Sequence, residues 1–369
     1  MKRTLVLGST GSIGIQTIDI ISRHPDNFVL AGLHADRNRE KLLEFSKSYP
    51  AIPCCLGSKT DNAFKHSGPG SLKNFIENTK ADIVLNAIAG SAGLLPSVWA
   101  LNSGKDLALA NKETIVMAGR LIMDIARQNG KKLLPVDSEH SALFNLIERF
   151  GKNNIQELII TASGGAFRND PVSSLKDKTP LEALKHPTWN MGPKITIDSA
   201  SMANKGLEVI EAARLFEMNA AEIKVLIHPE SRVHSLVRSM DGSLYAQISK
   251  PDMRLAILNA LSWPLVLKES LANLDLTDSS LNFFKPEPER YPLLGLAYEA
   301  LALGEGFCCA YNAANEVAVE AFIKGKIRFV DISRIVELTL GTRFPENIDS
   351  IEEAMESDKL ARALAVKEI

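Results

Sequence analysis

The sequence predicts an α/β protein in three parts: a Rossmann-like doubly wound parallel sheet, an α+β region and a C-terminal helical domain. Three observations predict this organisation. Short apolar runs alternate with helical patterns over the first 136 residues, a hairpin turn signal lies at Asp241-Gly242, and helical periodicity continues from Tyr291 onward. Because helices cover both faces of a parallel sheet, its strands are apolar throughout, as these runs are.

Individual elements follow from these patterns. Strands in the first part are expected at Leu5–Leu7, Phe28–Leu33, Ile83–Leu85, Leu107–Leu109 and Lys132–Val136, with helices at Ile13–Arg23 and Ser141–Phe150. The middle part is expected to contain strands at Leu158–Thr161, Val225–Ile227, Val233–Met240 and Ser243–Ser249. The last part is expected to contain helices at Pro292–Leu303, Ala310–Lys324, Asp331–Leu340 and Ser350–Val366. The predicted domains are residues 1–137, 138–264 and 291–369, with a connector at 265–290.

Composition excludes several classes of partner. The chain has 369 residues, 42 Lys+Arg and 44 Asp+Glu, so its net charge is −2. A nucleic-acid scaffold or a polybasic membrane binder needs a large field of one sign, so we expect neither partner. The apolar run Thr4–Leu7 is interrupted at once by glycine and serine, which argues against a signal peptide, and polar residues break the uncharged stretch Ile83–Gly104.

The cysteines form two vicinal pairs, Cys54-Cys55 and Cys308-Cys309. Adjacent cysteines rarely bond to each other, and this spacing matches no zinc pattern. We therefore expect reduced thiols in a cytoplasmic protein.

A glycine-rich loop follows the first predicted strand. Gly8, Gly11 and Gly14 are spaced G-x-x-G-x-x-G and precede a helix. Glycines let the backbone approach a pyrophosphate, whose charge the helix amides then meet. The loop predicts a Rossmann-like dinucleotide site, and the alternative is a tight turn without a ligand. After the second strand, Asp36 favours NAD and Arg37 favours the additional phosphate of NADP, unless both lie in a solvated loop.

Two acidic segments are candidate metal ligands. Asp137-Ser138-Glu139 follows a strand, where loops line the ligand crevice, although these residues also suit a capping turn. Further along, Asn204 and Glu208 share one helix face with Lys205 adjacent. That face would offer a carboxylate to a metal and an ammonium to an anion. The alternative is an ordinary surface ion pair.

Other loops are suited to an anionic substrate. Ser163-Gly164-Gly165 ends a strand and frees backbone amides for an anion. The segment from His186 to Gly192 holds Trp189 and Met191 between proline and glycine, which suits a mobile lid or a loop that Trp189 anchors to the core. Asn111-Lys112-Glu113 follows a strand on the crevice side.

Together these segments resemble the 1-deoxy-D-xylulose 5-phosphate reductoisomerase family over nearly the whole chain. The matching stretches are Gly8–Gly14, Ala110–Glu113, Pro135–Ser141, Ser163–Gly165, His186–Gly192, Asp198–Glu208, Ile227–Ser231 with His234, Lys250–Arg254 and Asn312–Glu316. Asp36-Arg37 departs from the Gly-Lys or Ser-Asn residues that family members often carry. Arginine's fixed fork suits a phosphate, so NADPH remains the expected cofactor.

The resemblance implies an oxidoreductase of the non-mevalonate (MEP) pathway of isoprenoid biosynthesis. It would convert 1-deoxy-D-xylulose 5-phosphate to 2-C-methyl-D-erythritol 4-phosphate with NADPH and Mg²⁺, Mn²⁺ or Co²⁺. The rearrangement would proceed by retro-aldol cleavage and rejoining or by an α-ketol shift. A homodimer is also implied, with residues 1–137 as the NADPH-binding domain and residues 138–264 as the catalytic and metal-binding domain. The competing hypotheses are a plain NAD(P) dehydrogenase, which needs no metal, and a nonenzymatic dinucleotide sensor.

Site residues are carried over position by position. The implied catalytic residues are Lys112, Asp137, Glu139 and Glu208, of which Asp137, Glu139 and Glu208 are the metal ligands. The implied substrate contacts are Lys112, Ser138, Glu139, Ser163, His186, Trp189, Ser199, Asn204, Lys205 and Glu208. The implied NADPH contacts are Thr10, Gly11, Ser12, Ile13, Asp36, Arg37, Asn38, Asn111, Glu113 and Gly192.

Overall fold

A computed structural model describes residues 1–189, 191–268, 271, 273–277 and 279–369. Asn190 of the predicted lid and residues 269, 270, 272 and 278 of the predicted connector lie outside the described residues. The chain folds into two compact units. The first comprises Met1–Thr114, Ile122–Ser141 and Asp252–Ser270, and the second comprises Ile115–Leu121, Ala142–Pro251 and Leu271–Ile369.

The first unit is built on a seven-stranded sheet in the order β4-β3-β2-β1-β5-β6-β7. All of its strand pairs are parallel. The strands are β1 Lys2–Leu7, β2 Phe28–Ala35, β3 Cys54–Leu56, β4 His66–Ser67, β5 Ile83–Asn86, β6 Asp106–Leu109 and β7 Leu133–Pro135. The prediction of a doubly wound parallel sheet is confirmed, and each apolar run predicted as a strand in this part forms one. The short strands β3 and β4 were not predicted.

The helices alternate with the strands in this unit and dominate the last part of the chain. In chain order they are α1 Ser12–Arg23, α2 Arg39–Ser48, α3 Ser71–Asn78, α4 Leu94–Asn102, α5 Lys112–Gln128, α6 Ser138–Phe150, α7 Pro180–Ala183, α8 Pro193–Ser201, α9 Ala203–Leu215, α10 Met253–Ser262, α11 Pro292–Leu303, α12 Glu305–Ile323, α13 Asp331–Leu340 and α14 Ile351–Lys367. None of the helices in the described ranges is long and apolar enough to cross a bilayer.

The order of the strands places the glycine loop at the point where the sheet reverses its direction of winding. β1 lies between β2 and β5, and a ligand crevice forms at the carboxyl ends of the strands at such a point. The loop from β1 to α1 packs closely on its surroundings. A Cβ at Gly8, whose φ is +73°, would lie 2.5 Å from the Ala87 carbonyl oxygen, and one at Gly14 would lie 2.4 Å from that of Gly8. The glycines at these positions are therefore required by packing.

Helix α10 returns to the first unit from late in the chain. It packs against α1, with Arg254 Nη1 3.5 Å from an Asp19 carboxylate oxygen. Just beyond α10, the Lys2 ammonium donates to the Trp263 carbonyl at 3.2 Å. The predicted boundary near residue 264 did not include this return, because the packing of α10 on α1 joins segments more than 230 residues apart.

The second unit contains a four-stranded mixed sheet in the order β11-β10-β8-β9. Its strands are β8 Ile155–Ala162, β9 Ile223–Ile227, β10 Val233–Ser239 and β11 Leu244–Ile248. β8 and β9 are parallel, while β10 runs antiparallel to both β8 and β11. The predicted α+β character and the hairpin at Asp241-Gly242 are confirmed.

Helices α11 to α14 belong to this second unit. Tyr311 and Phe322 of α12 are buried in one hydrophobic cluster with residues of α8, α9, α13 and α14. Helix α12 begins at Glu305, five residues before the predicted start. Gly304, with φ +129°, precedes it, and the Glu305 carboxylate accepts from the Ile348 amide at 2.8 Å and the Arg120 guanidinium at 3.2 Å. The predicted division of this unit into a catalytic and a helical domain stays a prediction.

We expect Gly14→Ala to lower the free energy of unfolding by about 1–3 kcal/mol, because the added methyl group meets backbone atoms that have no room to move. Gly11→Ala is the matched control, since a Cβ there would lie 3.4 Å from the nearest atom and its φ is −83°. Thermal unfolding of the ligand-free proteins measures both. Equal stability of the two variants would contradict the packing argument.

Candidate functional site

The predicted cofactor loop leads into the accessible start of helix α1. Thr10, Gly11, Ser12 and Ile13 lie at the start of α1 and are exposed or half-buried. No side chain caps this helix and its first turn contains no acidic residue. The Gly11 amide donates to the Gly8 carbonyl at 3.0 Å, so the loop offers an anion such as a pyrophosphate the amides of the first turn of α1 and the positive end of its dipole.

The loop after β2 contains charges of both signs. Arg37 Nε lies 3.3 Å from an Asp36 carboxylate oxygen, and both side chains are largely exposed. Asn38 caps α2 by accepting from the Lys41 amide at 3.2 Å. The predicted contacts Asp36, Arg37 and Asn38 thus lie together at the carboxyl end of a central strand.

The side chain of Asn111 stabilises the fold. Its amide nitrogen donates to the carbonyls of Ile88 and Gly90 at 2.7 and 2.8 Å and lies 3.0 Å from a Glu113 carboxylate oxygen. Its side-chain oxygen accepts from the Thr114 amide at 2.9 Å and so caps α5. This amide joins the ends of β5 and β6, so a contact of Asn111 with a cofactor would come from its backbone.

Asp137 takes the capping role that the sequence offered as an alternative, and its role as a metal ligand stays a prediction. Its carboxylate lies 3.1 Å from Lys112 Nζ and 3.1 Å from His140 Nδ1. It also accepts from the backbone amides of Glu139 and His140 at 3.1 and 3.3 Å, which makes it the cap of α6. Lys112 and His140 are buried, so the ion pair lies away from bulk water. Ser138 donates to the adjacent Glu139 carboxylate at 2.5 Å.

In the second unit, two predicted substrate serines converge on one histidine. His186 Nε2 lies 2.9 Å from Ser163 Oγ and 3.1 Å from Ser199 Oγ. Close backbone packing brings the two serines together. Gly165 has φ +70°, and a Cβ there would lie 2.5 Å from the Ser199 carbonyl oxygen.

The protonation state of His186 follows from its partners. The amides of Thr188 and Trp189 donate to its Nδ1 at 3.1 and 2.8 Å, so the neutral ring carries its proton on Nε2. Burial, together with the positive charges of Lys205 and Arg168, lowers the pKa of His186 to about 4. At neutral pH the ring therefore donates to the serine hydroxyls, and each hydroxyl has its own proton to offer an anion.

Asn204, Lys205 and Glu208 form a cluster on α9 in which Lys205 and Glu208 are buried. Glu208 accepts from Asn204 Nδ2 at 2.5 Å and from Lys205 Nζ at 2.6 Å. The Lys205 and Glu208 side chains are only 7% and 1% exposed. The shared helix face predicted from the spacing is confirmed, whereas the alternative of a surface ion pair is wrong.

The remaining predicted residues lie at the start of α8 and in the loop before it. Gly192 immediately precedes α8, and a Cβ there would meet nothing within 4 Å. Trp189 is half-buried and Met191 is half-buried. Asn190 between them lies outside the described residues, so the lid prediction stays a prediction.

Sequence reasoning did not identify the contacts of two residues near the predicted substrate serines, Asp198 and Arg168. Asp198 is 1% exposed and accepts from Asn315 Nδ2 at 2.8 Å and Lys194 Nζ at 2.9 Å, which ties α8 to α12. Arg168 donates to the Ser163 carbonyl at 3.2 Å. The stretches Asp198–Glu208 and Asn312–Glu316 were both singled out in the sequence, but nothing local indicated that Asn315 contacts Asp198.

Models of one protein family match most of the chain. A model described as 1-deoxy-D-xylulose 5-phosphate reductoisomerase matches residues 4–119. The model of the C-terminal domain of 1-deoxy-D-xylulose 5-phosphate reductoisomerase matches residues 133–216, and that of the DXP reductoisomerase C-terminal domain matches residues 248–364.

Curated relatives match over their full length. The chain is 46% identical to the 1-deoxy-D-xylulose 5-phosphate reductoisomerase of Treponema denticola over 370 residues, which cover 100% of this chain and 97% of the relative. It is 44% identical to the enzyme of the same name from Chlorobaculum tepidum, with 99% of each chain covered.

Solved structures have the same fold. The 1-deoxy-D-xylulose 5-phosphate reductoisomerase from Zymomonas mobilis in complex with NADPH is similar with a TM-score of 0.90 and 38% identity, covering 99% of this chain and 98% of that one. A DOX-P reductoisomerase in complex with NADPH, fosmidomycin and magnesium is similar with a TM-score of 0.91 and 36% identity, covering 100% and 98%.

We expect the His186 imidazole to stay neutral down to about pH 5, because its pKa is about 4 rather than 6.5. The unfolded chain takes up this proton below about pH 6.5, so the contribution of His186 to stability is present above that pH and is lost as the pH falls toward 4. Histidine-selective NMR, with His186→Asn to assign the signal, measures the titration. A midpoint near 6.5 would contradict the proposed surroundings of Nδ1.

Proposed function

Since the chain belongs to the 1-deoxy-D-xylulose 5-phosphate reductoisomerase family, we propose how its residues carry out the reaction of that family. The enzyme converts 1-deoxy-D-xylulose 5-phosphate and NADPH to 2-C-methyl-D-erythritol 4-phosphate and NADP⁺ in the non-mevalonate pathway of isoprenoid biosynthesis. The observation that carries the assignment of the substrate site is the pair of serine hydroxyls on a neutral histidine, Ser163 and Ser199 on His186. Hydroxyl and N–H donors suit the oxygens of a phosphate to which a lysine supplies countercharge.

NADPH binds at the carboxyl edge of the seven-stranded sheet. Thr10, Gly11, Ser12 and Ile13 surround its pyrophosphate, which the amides at the uncapped start of α1 hold. The exposed Arg37 guanidinium holds the 2′-phosphate, with Asn38 beside it and Asp36 as its neighbouring ion-pair partner. Asn111, Glu113 and Gly192 complete the cofactor contacts, with Asn111 contributing through its backbone.

The divalent metal is held by Asp137, Glu139 and Glu208. The surroundings of these residues fit a cation, because carboxylate oxygens are the ligands that Mg²⁺ and Mn²⁺ prefer. In the structure an ammonium group already lies beside two of them, Lys112 beside Asp137 and Lys205 beside Glu208. Positive charge is therefore accommodated at both positions. When bound, Mg²⁺, Mn²⁺ or Co²⁺ supplies Lewis-acid stabilisation of negative charge on substrate oxygens.

The phosphate of the substrate binds to residues of the second unit. Ser163, Ser199 and Asn204 donate hydrogen bonds, and Lys205 supplies countercharge. His186 orients the two hydroxyls through Nε2. Contacts with this phosphate lie at the unreactive end of the substrate, so their binding energy is available to close the segment that contains Trp189 over the reacting carbons and exclude water.

The reacting carbons lie beside Lys112 and Ser138. The Lys112 ammonium is buried against Asp137, so it provides positive charge where oxygen anions develop. Ser138 provides a hydroxyl that the Glu139 carboxylate already orients. The rearrangement proceeds by retro-aldol cleavage and rejoining, with an α-ketol shift as the alternative, and hydride transfer from NADPH follows.

The enzyme is a cytoplasmic homodimer in this proposal. All four cysteines are buried thiols without disulfide partners, which is typical of a reducing compartment. Strand β11 is an edge of the four-stranded sheet, and its Leu244, Tyr245 and Ile248 are 49%, 38% and 39% exposed. An apolar edge strand is a ready surface for a second copy.

We expect oxidation of NADPH, followed by its absorbance, to require 1-deoxy-D-xylulose 5-phosphate and to stop when EDTA removes the metal. Glu208→Gln is expected to lower kcat by at least about a hundredfold, because a charged ligand becomes a neutral amide. Glu211→Gln, one turn further along the same helix and also buried, is the matched control. Melting temperatures show that both variants fold.

Activity that persists in EDTA would exclude the metal-dependent mechanism and favour a plain dehydrogenase. Near-normal turnover by folded Glu208→Gln would remove this residue from the metal ligands while leaving the overall function intact.

We expect light scattering to give a molar mass of about twice the chain mass of 40.3 kDa. Leu244→Glu combined with Ile248→Glu places charges along the proposed contact and is expected to give monomers. Leu338→Glu is the control, since Leu338 is 48% exposed on α13. A monomeric wild type would contradict the dimer proposal, and a dimeric double variant would place the interface elsewhere.

A further inference from the structure

The proposed phosphate site in the second unit has less positive charge than its ligand requires. A phosphate monoester carries a charge of about −1.5 to −2 near neutral pH. His186 is neutral, and the Lys205 ammonium already lies 2.6 Å from the Glu208 carboxylate. Serine and asparagine donors add no charge, so a further cation is expected close to the site.

Arg168 lies where such a cation is needed. Its Nη1 donates to the Ser163 carbonyl at 3.2 Å. Its side chain packs against Gly164 of the same loop. A Cβ added at Gly164 would lie 3.0 Å from the Cβ and 3.2 Å from the Cδ of Arg168. Its positive charge is near enough to contribute to the low pKa of His186. Arg168 is half-buried, so solvent screens this charge less than it would on an open surface.

We propose that Arg168 is a positioning residue for the substrate phosphate, which fixes the Ser163 loop through its carbonyl and supplies the second positive charge of the site. The inference rests on the proposed function of that site. Arginine suits this task because its planar fork donates to a carbonyl with one nitrogen while the delocalised charge acts on the neighbouring ligand.

A neighbouring residue, Tyr291, allows the effect of the Arg168 charge to be tested separately from support of the loop backbone. Tyr291 is buried, and its hydroxyl donates to the Gly164 carbonyl at 2.9 Å. It therefore supports the next carbonyl of the same loop without carrying a charge. Tyr291→Phe removes one hydrogen bond from the loop and leaves the electrostatics of the site unchanged.

The experiment compares Arg168→Gln, Arg168→Lys and Tyr291→Phe in the full-length enzyme. Steady-state kinetics measure KM for 1-deoxy-D-xylulose 5-phosphate and for NADPH, and calorimetry measures the Kd of inorganic phosphate with the metal present. We expect Arg168→Gln to raise the substrate KM and the phosphate Kd about tenfold or more, because a charge-assisted contribution is lost. KM for NADPH is expected to change less than about twofold.

The controls decide between charge and structure. Arg168→Lys keeps the charge and is expected to recover most of the loss, whereas Tyr291→Phe is expected to change substrate KM and phosphate Kd by less than about threefold. Equal losses in Arg168→Gln and Tyr291→Phe, with no recovery by lysine, would overturn the proposal in favour of loop support alone. Unchanged phosphate affinity in folded Arg168→Gln would also overturn it.

Failure of the proposed function is recognised separately. A wild-type enzyme that binds inorganic phosphate but does not oxidise NADPH with this substrate would refute the assigned reaction, and the phosphate Kd values would still test Arg168. Circular dichroism and melting temperature establish that each variant is folded. If Arg168→Gln does not fold, the comparison of Arg168→Lys with wild type decides, with a phosphate Kd raised more than about tenfold contradicting a role for charge.

Discussion

The buried carboxylate of Glu208 is the constraint on which the second unit depends. A charge this far from water is stable only when it is paired and hydrogen-bonded, and its partners Lys205 and Asn204 come from the same helix. That helix, α9, must then lie inside the protein. The four-stranded sheet covers one part of it and α11 another, and a Cβ at Gly206 would lie 2.5 Å from the Tyr311 hydroxyl. The C-terminal helices are therefore part of what keeps the proposed metal ligand dry.

In the first unit, too, residues proposed for function also stabilise the fold. Asp137 caps α6 while it pairs with Lys112. Asn111 caps α5 while its amide joins the loops after β5. These contacts leave the Asp137 side chain few accessible rotamers and fix the Asn111 backbone, and this lowers the cost of placing either group precisely toward a ligand.

In the proposed phosphate site, different residues orient the hydrogen-bond donors and supply the positive charge. Two backbone amides occupy Nδ1 of His186, so the ring is neutral and oriented without being charged. Positive charge then comes from Lys205 and, in our proposal, from Arg168, both of which are less easily neutralised than an imidazole. The orientation of the donors and the supply of positive charge thus fall to different residues, so we expect the proposed phosphate site to bind an anion over a wide range of pH.

The sequence by itself determined the elements whose causes are local. Apolar runs predicted the strands of the parallel sheet, glycine spacing predicted the loop before α1, and the four-residue spacing of Asn204 and Glu208 predicted their shared face. Sequence reasoning also identified the family, because many short motifs occur in order. It did not reveal that the Lys205–Glu208 pair is buried or that α10 returns to the first unit.

Those features depend on contacts between distant segments, such as the hydrogen bond from Asn315 to Asp198 across 117 positions. The helix geometry sets the distance between two side chains three or four residues apart. Whether water or protein surrounds them is decided by elements far away in the chain, and that surrounding medium sets the strength of their charges.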